Sequence, residues 1–279
     1  MSIMTLIKAI ELGLVFSVLS LGLYITFRIL NVADLTVDGS FATGGCVCAM
    51  FTLQGHPIVG LIAGFFAGSL CGCTTAFLQT KMKIQPLLAG ILVMSALYSL
   101  NIRIMKFAPN VPLPRMNLSI DIFWILLTVV VLIAILMYAF FKTNLGLMLR
   151  ATGDNEEMIR SSSVNVDSMK FLGLALSNGL VALSGGLLVH YQHFADVTMG
   201  TGMLVLGVAG IIVGETIFRK NSVGSGILAS IVGALLYRLI YTIALKLGFR
   251  ATDMNLVNAC LVALTISIPM LKERGKKHA

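Results

Sequence analysis

The sequence predicts an all-α fold: a polytopic membrane helix bundle of about eight or nine apolar segments, forming a single domain over residues 1–279. Three observations predict it. Hydrophobic residues make up 57% of the chain and charged residues only 11%, where a soluble domain carries roughly 25% charged residues. Mean hydropathy is +0.95. The apolar residues come in continuous runs near the roughly 20 residues that a helix needs to cross hydrocarbon, unlike the alternation of barrel strands.

The net charge of +8 does not mark a nucleic-acid partner. The positive residues sit in short loops and in the tail at 272–279, where topology rules place them beside a lipid membrane. No cleavable signal peptide is read at the start, because the first apolar run follows Lys8 and continues too far. Cys46, Cys48, Cys71, Cys73 and Cys260 all lie in apolar segments, which argues against an extracellular disulfide framework. Two residues apart on a helix point about 200° from each other, so neither C-x-C pair chelates one ion. Packing is the expected role of these cysteines, and no metal site is assigned.

Residues 9–30 form the first span, with Glu11 and Arg28 near its ends, snorkelling or facing protein. NVADLTVDGS at 31–40 then breaks the pattern, and 41–53 is too short to cross alone. Irregular backbone at membrane depth is tolerated only when buried in protein or lining a cavity. A broken or re-entrant helix is expected here, with Asp38 or Ser40 capping its second piece; a surface turn with a helix cap is the other reading. Residues 57–79 carry Gly60, Gly64, Gly68 and Gly72, a small-residue stripe for backbone-close packing. Lys81 and Lys83 mark its end as cytoplasmic.

The next span, 84–102, opens at Pro86, and near its far end carries Ser95, Tyr98, Ser99 and Asn101, which either meet a polar solute or sit at the interface. The proline-rich stretch 103–120 reads as an outer loop, although Arg103, Lys106 and Arg115 oppose the positive-inside rule. Trp124 anchors the outer end of the span at 121–141. Spans at 171–190, 200–218, 223–247 and 254–271 follow. His190, His193 and Asp196 cluster in an outer loop without a metal-ligand pattern. Glu215 precedes Arg219 by four, as a helical ion pair would. Arg238 is an intramembrane arginine, a functional candidate by default, beside Tyr237 and Tyr241. Alternation counted back from the tail holds to residue 57 and favours an inside N-terminus with a re-entrant piece at 31–53.

One stretch organises the rest. Residues 142–170 hold the longest polar run in the chain, with Arg150, Asp154, Glu156, Glu157, Arg160, Asp167 and Lys170. Ionised side chains at the bilayer centre cost roughly 2.5–3.5 kcal/mol or more, so this hinge faces water between two spans. Asp154 or Asn155 can cap a helix whose first turn holds Glu156 and Glu157, and Arg160 follows Glu156 at i+4. A short ordered helix on an intracellular loop is suited to docking.

The hinge resembles the cytoplasmic loop of permease subunits from bacterial ABC importers, the group that includes branched-chain amino acid and ribose permeases. The matching residues are Gly146, Arg150, Ala151, Gly153 and Asn155, then Ser163, Asn165, Val166 and Lys170, then Ser177, Ala182 and Gly185. Met158 and Ser161 depart from it, standing where the family often has alanine. Asp34, Leu35, Thr36, Val37, Gly39 and Ser40 resemble a second family element. What the resemblance implies is a translocation path drawn from Asp34, Thr36, Asp38, Ser40, Ser95 and Tyr98. It implies an ATPase-coupling surface of Arg150, Asp154, Asn155, Glu156, Glu157, Arg160 and Asn165. It also implies an ABC ATPase subunit that binds the ATP, an extracellular solute-binding protein, a second permease copy and a bacterial cell-membrane location. The NVADLTVDGS and LYSLNIRIM segments look closest to permeases whose proposed cargo includes aromatic amino acids.

The residues also exclude functions. The chain has no G-x-x-x-x-G-K-[ST] element, so it holds no ATP by a P-loop, and no cofactor is expected. No Ser-His-Asp or H-E-x-x-H arrangement supports an enzyme. An ion-coupled secondary transporter is the alternative, with Asp34 and Asp38 as coupling carboxylates; the inverted repeat common in such proteins is not read in the sequence. A metal permease is disfavoured because the fifteen methionines are scattered.

Overall fold

The computed structural model describes residues 3–114, 121–161, 164–218 and 222–248. It is all-α apart from one short ribbon. Helix α1 (Ile3–Tyr24) runs on as a π-helical turn, Ile25–Ile29. Then come α2 (Thr36–Leu53), α3 (Pro57–Thr80), α4 (Pro86–Ile104), α5 (Ile122–Lys142), α6 (Asn144–Asp154), α7 (Glu156–Ser161), α8 (Val166–Gln192), α9 (Met203–Ile217) and α10 (Val223–Lys246). Strands β1 (Asn110–Pro112) and β2 (Phe194–Asp196) pair antiparallel, with Asn110 opposite Asp196.

Among the described residues, six helices are long and apolar enough to cross a bilayer: Met4–Ile29 of α1, and α3, α4, α5, α8 and α10. Helix α9 is apolar but has only 15 residues. The expected run at 254–271, the tail at 272–279, Cys260, Arg115, Ser163 and Arg219 lie outside the described residues.

Helices α2 and α8 form the centre. Most of α2 is buried, and it is flanked by α3, α4 and α8. The glycine stripe of α3 explains how: Gly60 and Gly64 lie against the backbone of Cys48 and Gly44 on α2, while Gly68 and Gly72 lie against Asn178 and Leu174 on α8. Backbones that close leave no room for a Cβ, so the stripe is a packing spine, as expected.

Helix α2 departs from expectation. It starts at Thr36, so Asp38 and Ser40 lie inside its first turns instead of capping it. The capping contact comes from Asp34, whose Oδ1 accepts the Thr36 N–H at 2.9 Å. At 18 residues α2 is about 27 Å long at 1.5 Å per residue. Its start lies deep in the bundle: Gly39 rests against Met94 and Leu97, halfway along α4. The start of α9 lies at the same depth, since Gly200 rests against Asp38 and Ala42. Two short helices thus begin side by side inside the bundle.

The N-terminus falls on the side opposite to the one expected. Ser184 Oγ donates to the Val15 carbonyl, Ser177 Oγ to the Gly22 carbonyl, and Tyr191 Oη to Glu11. Helix α1 therefore runs antiparallel to α8, and its end at Ile29 reaches Gly153 of the hinge. The start of α1 and the hinge therefore lie at opposite ends of the bundle, where the expected inside N-terminus would put them at the same end. The expected re-entrant piece differs as well: the entry loop leads back into the bundle, and α2 continues to Cys48 beside His190, at the end away from the hinge.

Two helix triplets also run in opposite directions, an arrangement not read in the sequence. Helices α1, α2 and α3 form a long-short-long triplet, and α8, α9 and α10 form another running the opposite way. Ala33-Asp34-Leu35-Thr36 opens the short helix of the first triplet, and Ala195-Asp196-Val197-Thr198 leads into that of the second. Both aspartates fold the same turn, with Asp196 Oδ1 accepting the Thr198 N–H at 2.7 Å as Asp34 does for Thr36.

Candidate translocation path and coupling hinge

The six residues assigned to a path separate into two groups. Asp34, Thr36 and Ser40 belong to a closed polar knot in the core. Asp34 Oδ2 accepts from Asn178 Nδ2 at 2.7 Å, and Ser40 Oγ donates to Asn178 Oδ1 at 2.7 Å. Thr36 Oγ1 lies 2.7 Å from Thr75 Oγ1 on α3. Asn178 Nδ2 also donates to the Leu174 carbonyl of its own helix at 3.0 Å. These side chains are buried and mutually satisfied, which is what low-dielectric surroundings demand of polar groups. Their evident role is to hold α2, α3 and α8 in register.

Asn178 and Thr75 were missed in the sequence. Asn178 sits in a Ser-Asn-Gly run whose neighbours read as small-residue packing, and Thr75 sits in the glycine-rich span. A lone amide inside an apolar span is the signal that marks Asn178, because an intramembrane polar residue needs a partner.

The second group, Asp38, Ser95 and Tyr98, does share a cavity. It measures about 420 Å³ and is also lined by Asn101 on α4 and by Thr198 and Thr201 of the segment entering α9. The volume suits a small solute. Asp38 has a structural task as well: its Oδ2 accepts the Gly202 N–H at 2.9 Å and its Oδ1 the Leu204 N–H at 2.8 Å. A carboxylate on α2 thus satisfies the exposed donors at the start of α9 and meets the positive end of its dipole. Gly202 takes φ of 82°, a left-handed conformation that glycine adopts without a Cβ penalty.

The hinge is ordered into two helices packed on the bundle. Thr143 Oγ1 accepts from Gly146 N at the start of α6. Of the two expected caps for α7, Asn155 is the one used, accepting from Met158 N at 3.0 Å. Asn165 caps α8 by accepting from Ser168 N at 3.2 Å. Glu156 pairs with Lys170 on α8 at 2.5 Å, so the expected partner Arg160 is replaced by one from the following helix. Glu157 and Arg160 are exposed, as are the apolar side chains of Leu145, Leu147 and Met158. Leu149 and Ile159 are buried and anchor the two helices. Gly153 lies directly on the Ile29 carbonyl, an approach that no larger residue permits.

Arg150 and Asp154 turn toward a second cavity of about 410 Å³, shared with Tyr24, Arg28, Glu215 and Ser222. Within it Arg28 pairs with Glu215, joining α1 to α9; this carboxylate was expected to serve Arg219. Lys81 reaches Asp167 at 3.5 Å, which places the end of α3 on the hinge side as expected.

The remaining candidates are accounted for. His190 Nε2 lies 3.0 Å from Cys48 Sγ. Among the described residues, no three His, Cys, Asp or Glu side chains are placed to hold a metal ion. Arg238 rests over the rings of Phe16 and Tyr241 at 5.4 and 4.6 Å, cation–π contacts within the bundle.

Residues 5–267 match the family model described as the branched-chain amino acid transport system permease component. The chain is 40% identical over 277 residues to the tyrosine transport system permease protein of Clostridioides difficile (strain R20291), covering 98% of this chain and 94% of that one. It is 34% identical to the uncharacterized protein RP368 of Rickettsia prowazekii (strain Madrid E), covering 94% of this chain and 96% of that one. The ribose import permease protein RbsC of Escherichia coli (strain K12) is 25% identical, covering 86% and 78%. The chain belongs to the permease components of the branched-chain amino acid transport family and is an integral membrane protein.

Proposed function

We propose that the chain is the membrane subunit of an ATP-driven importer that moves an amino acid or related small solute inward. A separate ABC ATPase docks on α6 and α7, an extracellular binding protein delivers the solute, and two permease copies enclose the path. The observation that carries this reading is the hinge. It presents exposed Leu145, Leu147, Met158, Glu157 and Arg160 outward while Gly153, Leu149 and Glu156 tie it to α1 and α8. A push on such a unit is passed to the bundle as rigid-body motion. Likeness to the tyrosine permease supports an amino acid as cargo.

The ion-coupled alternative gains two observations, the opposed triplets and two carboxylates within the bundle, Asp34 buried and Asp38 partly buried. Against it, both carboxylates already serve backbone N–H groups at helix starts. Copurification in mild detergent from the native host separates the two. A stoichiometric P-loop ATPase is expected; a homo-oligomer without one, driving uptake on an ion gradient, would establish the alternative.

A further inference from the structure

We propose that the cavity between α2, α4 and the segment 197–201 is a subsite for the ammonium group of the solute, and that Asn101 sets its selectivity. This rests on the permease reading above. The first observation is an orphan. Asn101 is 1% exposed, lines the cavity, and its Oδ1 is buried with no hydrogen-bond partner among the described residues. A buried amide oxygen left unmade is costly, so such a group is normally satisfied by something that comes and goes when the fold supplies nothing.

The lining then says what would satisfy it. Among the described residues its one formal charge is Asp38, and none of the lining is Lys, Arg or His. Thr198 Oγ1 donates its proton to Asp196 Oδ1, so toward anything else it can only accept. The Tyr98 ring, on the same wall, is half exposed. Two side-chain acceptors, Asn101 Oδ1 and Thr198 Oγ1, the negative charge of Asp38 and an aromatic ring favour a donor-rich cation over a carboxylate. The positive start of α9, which would otherwise attract a solute carboxylate, is already occupied by Asp38. A solute in this cavity is thus held by its ammonium end.

Two probes that differ only in that group test the assignment: L-tyrosine and 3-(4-hydroxyphenyl)propionate. The full chain carrying Ser95→Cys is placed in lipid nanodiscs and labelled with a polar thiol reagent, with the unsubstituted chain setting the background from the native cysteines. L-tyrosine is expected to slow labelling and the deamino compound to leave it unchanged. Adding Asn101→Leu should raise the protecting concentration about tenfold or more, the ordinary effect of removing a hydrogen bond to a charged group. Asn101→Asp should keep the protection, and it carries the test if the leucine variant does not fold. Equal protection by both compounds, no protection, or indifference to Asn101→Leu overturns the subsite. ATP-driven uptake by the assembled system is measured in parallel, so that loss of the importer reading shows separately, as protection without coupled uptake.

Discussion

Asp38 on α2 reaches across to α9 and accepts the N–H groups of Gly202 and Leu204, so one carboxylate ties its helix to residues 164 and 166 positions further along the chain. Replacing it tests how far the inner junction depends on that tie. Asp38→Ala should destabilise the protein by about 1–2 kcal/mol, the range for a lost cap at a partly buried helix start. Asp38→Asn, which keeps one acceptor, should lose less. Unfolding in mixed detergent micelles reads both, and equal midpoints for all three chains would show that α9 holds without the tie.

Asn178 is the hub of the core knot, serving Asp34 and Ser40 at once. Asn178→Leu leaves a buried carboxylate short of its side-chain donor, which should cost about 2–4 kcal/mol. Ser40→Ala removes one neutral bond and should cost about 1 kcal/mol. In a double-mutant cycle the two should be strongly non-additive; additive losses would mean that the knot does not act as a unit.

The ion pair between Glu156 and Lys170 gives a charge-swap test of the hinge. Glu156→Lys should weaken retention of the ATPase on an affinity column by disordering α7. Adding Lys170→Glu should restore it. Failure of the double swap to restore retention would assign Glu156 a direct contact with the ATPase instead.

Gly153 packs on the Ile29 carbonyl, where a side chain has no room. Gly153→Val should leave the membrane core folded and still bind ATPase, yet uncouple ATP hydrolysis from uptake, because the hinge no longer seats on α1. Normal uptake at normal hydrolysis would show that force enters the bundle elsewhere.

The antiparallel run of α1 and α8 puts the start of α1 and the hinge at opposite ends of the bundle. An epitope at the N-terminus should be accessible to antibody on spheroplasts, and one in the hinge only after permeabilisation.

The sequence carried the six long helices because hydrocarbon length is a one-dimensional constraint, whereas the span expected at 200–218 holds only the 15-residue α9. It also carried Asn155, because a cap and its helix are neighbours in the chain. Asn165 entered only through family resemblance. The double role of Asp38 was not legible, since a cap supplied by another helix leaves no local pattern. Asn101 was noted among polar residues of α4 but not distinguished from them, because burial separates it from exposed Ser95 and Tyr98 only once α2 is in place. The opposed triplets share only the short stretch Ala33 to Thr36 against Ala195 to Thr198, too brief to stand out among apolar residues.

The two triplets run in opposite directions, and their short helices meet at their starts, where Gly200 rests on Asp38. From that meeting point α2 runs toward His190 at one end of the bundle, and α9 runs toward Arg28 at the other. A shift in the tie between Asp38 and α9 would therefore be felt at both ends of the bundle at once.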